Sequence, residues 1–101
     1  MVIVKLDYHI AAKTDAQTYW KVKVGKRFRA LRHVGKRLMS TAVSHRTHWT
    51  EYWDIPLSTD FKLIRVRFSN RGNPHVEEVP ISAVAISPEE EEALMALLGG
   101  E

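Results

Sequence analysis

Val2, Val4, Leu6, Tyr8 and Ile10 alternate with Ile3, Lys5, Asp7 and His9 at the start of the chain. That period of two, carried by β-branched and aromatic residues, predicts a first strand within residues 1–12. Lys13 to Gln17 is polar and reads as a turn. Trp20, Val22 and Val24 then alternate with Lys21 and Lys23 in a second strand. Gly25-Lys26 suits a two-residue hairpin turn, because glycine supplies the positive φ needed at its first position. The returning segment, Arg27 to Leu31, is expected to turn Phe28 and Ala30 inward and to leave Lys21, Lys23, Arg27 and Arg29 on one outer face.

A helix competes for residues 26–39, since Val24, Phe28, Leu31 and Leu38 also fit helical spacing. Gly25 and Gly35 weigh against it, each costing about 1 kcal/mol in a helix interior. The string Val-Gly-Lys-Arg recurs at 24–27 and 34–37, which suits a meander of short strands. Leu38 to Ser44 reads as a further strand. His45 to Asp60, polar and aromatic, predicts a long connection of the kind that often carries function. Ile64, Val66 and Phe68 alternate with Leu63, Arg65 and Arg67, predicting a strand with both arginines outward.

Ser69 to Pro74 is dense in turn formers, Val76 to Val79 returns as a short strand, and Ile81 to Ile86 forms a last strand or a single helical turn. Ser87, Pro88 and Glu90 then mark a helix start, with a capping box and proline at the first helical position. The helix is expected over 88–98, with Leu94, Leu97 and Leu98 docking on the sheet. Its acidic run, Glu89 to Glu92, complements the positive end of the helix dipole and needs no metal or partner.

These elements predict a mainly β domain: a small, strongly bent barrel of five to six short strands with a C-terminal helix. The stretch Trp20-Lys-Val-Lys-Val-Gly-Lys-Arg-Phe-Arg-Ala-Leu31 resembles the opening strand of Tudor-type, SH3-like barrels. Gly35 with Leu38 to Val43 is similar to their second strand, and Ile64 to Phe68 with Glu77 to Val84 to their later strands and closing turn. The resemblance spans residues 20–86, within a barrel expected at 19–86, and implies a peptide reader that holds methylated lysine or arginine in an aromatic cage. Its cage positions fall near Arg32, Met39, Phe68 and Asn70, of which only Phe68 is aromatic. Trp49, Tyr52 and Trp53 could stand in for the others.

Charge changes this picture. Residues 1–50 hold 11 Lys and Arg against 2 Asp and Glu, while residues 51–101 hold 4 against 10. The basic half is densest at Lys21, Lys23, Lys26, Arg27, Arg29, Arg32, Lys36 and Arg37, with no acid among them. Either the acidic half neutralises this block or an anionic partner does, and phosphate is the commonest anion. A composition of 45% hydrophobic and 27% charged residues is that of a folded globule rather than a disordered tail, so one domain is expected over residues 1–101.

No cysteine is present, which excludes disulfides, thiolate metal sites and cysteine nucleophiles. Neither a signal peptide nor a membrane-spanning run is visible, so an intracellular setting is expected, cytoplasmic or nuclear. His45 and His48 with Glu51 offer metal-ligand or acid–base residue types, but at a spacing that suits a metal only on a helix. The residues therefore predict a non-enzymatic module without cofactor or metal, binding DNA or RNA through the Lys21–Arg37 block. Trp49, Tyr52, Trp53 and Phe68 are its candidate base- or peptide-stacking residues. A methylated-peptide reader or acidic-protein partner is the alternative, a small nuclease using His45 and His48 a second, and self-association is compatible with each.

Overall fold

The computed structural model describes residues 2–11, 16–44, 48–56, 60–68 and 72–99. Strands β1 (Val2–Ala11), β2 (Ala16–Val24), β3 (Arg27–Arg29), β4 (Lys36–Ser44), β5 (His48–Ile55), β6 (Phe61–Phe68) and β7 (His75–Val79) precede two helices, α1 (Ile81–Val84) and α2 (Pro88–Gly99). A 3-10 turn at Leu31–His33 joins β3 to β4. All seven strands form one antiparallel sheet in the order β4-β5-β1-β2-β6-β7, with β3 also on β2.

The sheet is split by the way β2 leaves β1. The two strands pair only at His9↔Thr18, Ile10↔Gln17 and Ala11↔Ala16, whereas β2 follows β6 from Gln17↔Phe68 to Val24↔Phe61. Continued by two residues, the β1–β2 register would set Asp7 opposite Trp20. There the ladder has ended, and Trp20 Nε1 donates to the Asp7 carbonyl at 2.7 Å. β3 takes the edge of β2 that β1 has left, at Val22 to Val24. Two wings result, β4-β5-β1 and β3-β2-β6-β7.

The core fills the angle between them: Val4 and Leu6 from β1, Trp53 and Ile55 from β5, Trp20 and Val22 from β2, Phe61 and Leu63 from β6, and Leu31 from the 3-10 turn. Each such aliphatic or Phe side chain, fully buried, contributes roughly 1.5–3 kcal/mol. Ile81 and Val84 of α1 pack against this cluster. The expected barrel is not closed. Instead of a further ladder, β1 meets the chain after α1 through a single bridge, Val4↔Ala85, and a bond from the Ile86 N–H to the Ile3 carbonyl at 3.1 Å.

Several expectations are corrected. The proposed long connection between His45 and Asp60 contains β5, a strand paired on both sides. Its alternation was masked because Glu51 occupies an inward position. Between the two readings of residues 26–39 the structure selects strands over the helix: a hairpin strand, a 3-10 turn and the start of β4. The Gly25-Lys26 turn is as expected, with Gly25 at φ 63°.

The hairpin faces differ from expectation. Val24↔Arg27, Lys23↔Phe28 and Val22↔Arg29 are partners, so Phe28 shares the face of Lys21 and Lys23 and is 52% exposed. A two-residue loop imposes this parity, since directly paired residues lie on the same side of a sheet. At the C-terminus, the Glu90 N–H donates to Ser87 Oγ at 3.1 Å, as the capping box requires. Only Leu94 of the helix stripe is buried, however; Leu97 and Leu98 remain exposed. No helix among the described residues is long and apolar enough to cross a membrane.

Candidate functional site

Glu51 organises the most distinctive side-chain cluster. It is buried, and it sits between Trp49 and Trp53 on the inward face of β5, opposite Leu6. Residues two apart on a strand share a face. Both neighbouring indoles can therefore turn their N–H groups onto one carboxylate: Trp49 Nε1 donates to Oε2 and Trp53 Nε1 to Oε1, each at 2.8 Å. Arg37, two residues away on the same face of β4, brings its guanidinium to 3.9 Å from Oε2. The Tyr8 hydroxyl adds a third hydrogen-bond donor. Its ring stacks on Trp49 with centroids 5.4 Å apart and planes 8° from parallel.

Burial, then the charge of Glu51 and the hydrogen bond to it, hold the Tyr8 hydroxyl protonated well above the ordinary tyrosine range; Arg37 opposes the shift. The cluster thus locks rings from β1 and β5 in place without leaving a buried charge unpaired, the condition for keeping a carboxylate inside.

Beside it opens a cavity of about 590 Å³. Tyr8, Trp20 and Trp53 form aromatic walls, Leu31, Ala30 and Gly35 close one side, and Arg32, Lys36 and Arg37 complete the lining. Gly35 is required by close approach: a Cβ there would lie 2.7 Å from the Asp54 carbonyl oxygen and 2.9 Å from Ile55 Cγ2. The 3-10 turn thereby carries Arg32 and Lys36 over the end of β5.

The basic block is divided in two. Lys21 and Lys23 lie on the outer face, their ammonium groups 4.2 and 5.5 Å from the centroid of Phe28. Arg27 and Arg29, exposed on β3, share the parity of Val24 and Val22, and the chain then runs through Arg32 to Lys36 and Arg37. Lys26 occupies the turn between β2 and β3. Among the described residues, none of Lys21, Lys23, Lys26, Arg27, Arg29, Arg32 and Lys36 has an ion-pair partner.

Three acids of the C-terminal half pair outside the block, while Glu51 pairs with Arg37. Glu77 pairs with Arg65, Arg67 and His75, Glu78 with Lys62, and Glu90 with Lys5. The hydrogen bond from Arg65 is the main reason the Glu77 carboxyl titrates below the usual range. Arg65, expected outward, instead lies half-buried with its guanidinium 5.8 Å from the Trp20 ring.

The aromatic candidates are not brought together as one set. Trp49 and Trp53 face the Glu51 cluster, whereas Tyr52 points to the opposite face and lines a small cavity with Met39 and Leu94 of α2. Phe68 meets Tyr19 edge-on at 6.1 Å. Of the cage positions drawn from the Tudor resemblance, Arg32 lines the large cavity and Met39 the α2 cavity, while Asn70 lies outside the described residues. His45 also lies outside them, and the His48 ring meets that of His9 at a 38° tilt with centroids 4.7 Å apart. No group of three metal-binding side chains occurs among the described residues.

Sequence reasoning missed Tyr8 and Trp20 as site residues, and grouped Glu51 with His45 and His48 rather than with the indoles beside it. The spacing Trp49-x-Glu51-x-Trp53, an acid flanked on one strand face by two indoles, was the available signal. Neither protein-family models, nor curated proteins, nor solved structures give a match to this chain.

Proposed function

We propose that this chain is a non-enzymatic nucleic-acid-binding module whose phosphate contacts come from the basic residues running from β3 through the 3-10 turn to the start of β4. One observation carries the reading: Arg32, Lys36 and Arg37 are gathered at a cavity walled by Tyr8, Trp20 and Trp53. Cationic side chains around aromatic rings suit a polyanion that also offers flat bases. The lack of ion-pair partners for Arg27, Arg29, Arg32 and Lys36 among the described residues supports it, since these charges stay available for counterion exchange. We read the bent sheet as an open variant of the SH3-like, Tudor-like arrangement, with the Val4↔Ala85 bridge where a closing strand would lie.

The test is fluorescence anisotropy with labelled single-stranded DNA, RNA and duplex DNA over a range of salt. Engagement of about four phosphates gives a log–log slope near −3 on single strands and −3 to −4 on duplex. Arg32→Glu with Lys36→Glu should weaken binding across all sequences alike, because backbone contacts position without specifying. Absence of binding to every nucleic acid at low salt would sink the reading and return the basic rim to an acidic protein partner.

A further inference from the structure

We propose that the cavity receives one unstacked nucleobase, so that the ligand is a single strand, taken without strong base preference. This rests on the nucleic-acid reading above and adds the geometry of capture. The decisive feature is that the wall's donors are already spent. Trp20 Nε1 is held by the Asp7 carbonyl at 2.7 Å, Trp53 Nε1 by Glu51 at 2.8 Å, and the Tyr8 hydroxyl by Glu51 as well. The three rings therefore offer a guest no free donor with which to read a base edge, and the unspent donors of the lining belong to Arg32 and Lys36, which the flanking phosphates would engage. Stacking of this kind accepts any base, because every base has a π face.

The cationic side chains decide the sign of the guest. Three rings around a cavity would suit a methylated ammonium by cation–π attraction, but Arg32, Lys36 and Arg37 line the same cavity and would repel it. They attract instead the phosphates on either side of an inserted base. A volume of about 590 Å³ falls within the range of sites that enclose small ligands. The rings need little ordering on binding, since their polar ends are fixed in advance. A duplex would have to flip a base out of its stack to fill the cavity, whereas a single strand need not.

The experiment compares two probes of equal length and charge on the full chain: a short single-stranded oligodeoxyadenylate and its fully abasic counterpart. Binding is followed by anisotropy and by intrinsic tryptophan fluorescence. The intact strand should quench the indoles and bind about 5- to 100-fold tighter than the abasic strand, as one stacked base implies, with the same salt slope for both. Ala30→Trp, which fills the cavity from its wall without deleting a core side chain, should abolish the difference in affinity between the intact and abasic strands. Equal affinity of the two strands overturns base insertion but leaves the phosphate-binding reading standing. Failure of both strands to bind overturns both. Preference for a trimethyl-lysine peptide over the oligonucleotide overturns the assignment of the cavity to an anionic, base-bearing ligand.

Discussion

Glu51 is a carboxylate on the inward face of a strand, and what makes that position tenable is the convergence of Trp49, Trp53, Tyr8 and Arg37 on its oxygens. Removing it strands donors rather than deleting a charge alone. Glu51→Ala leaves two indole N–H groups without their acceptor, at about 1–3 kcal/mol each. Urea unfolding should show a loss of about 2–5 kcal/mol, and a change below about 0.5 kcal/mol would mean the cluster is not structural. Tyr8 adds a pH signature. Its folded-state pKa is raised above the unfolded value, so the folded state keeps a proton that the unfolded chain releases near pH 10. That contribution is intact below about pH 10 and is lost as pH rises from there towards the folded value. Tyr8→Phe should therefore flatten part of the alkaline fall in stability. Parallel curves for the two proteins above about pH 10 would refute the linkage.

Elements in this protein are set by turns and close approaches as much as by strand pattern. The β2–β3 hairpin takes its register from a two-residue turn with Gly25 in the left-handed region, and that register exposes Phe28 under Lys21 and Lys23. Gly35 has a different reason for being glycine. Backbone and a buried Ile55 leave no room for a Cβ, and backbone cannot swing away as a flexible side chain could. Gly35→Ala should cost about 1–3 kcal/mol through forced shifts of the 3-10 turn against β5. Because the same turn positions Arg32, nucleic-acid affinity should fall with it. A variant with unchanged denaturation midpoint would show that the turn relaxes freely.

Across the whole molecule, charge is sorted by pairing rather than by chain half. Glu77, Glu78 and Glu90 pair with Arg65, Arg67, Lys62 and Lys5, and within the Lys21–Arg37 block only Arg37, beside Glu51, has an ion-pair partner among the described residues. Under the proposed function, two surfaces then compete for the role of phosphate contact. Arg27→Glu with Arg29→Glu, on the β3 side leading to the cavity, should reduce both affinity and salt slope. Lys21→Glu with Lys23→Glu, on the opposite face, should change affinity less, through long-range field alone. Stability should move little in the arginine pair, since both residues are exposed. The reverse ranking in anisotropy titrations would transfer the contact surface to the Phe28 face.

The sequence by itself determined the features that depend on neighbours along the chain. Alternation placed β1, β2, β6 and β7, Gly25 fixed the hairpin turn, and Ser87 with Glu90 fixed the start of α2. Half of the site was legible in the same way, because Arg32, Lys36, Arg37 and Trp53 stand out by type and density. Tertiary structure alone decided the rest. β5 was hidden because an acid at an inward position looks like a break in the pattern until Tyr8 and Arg37, from other strands, arrive to satisfy it. The docking expected of Leu97 failed because an apolar stripe needs a partner surface, and α2 buries Leu94 alone. Where β1 and β2 part, the Trp20 indole donates to the Asp7 carbonyl. The two groups are 13 residues apart, so no local period records the contact that sits where the two wings diverge.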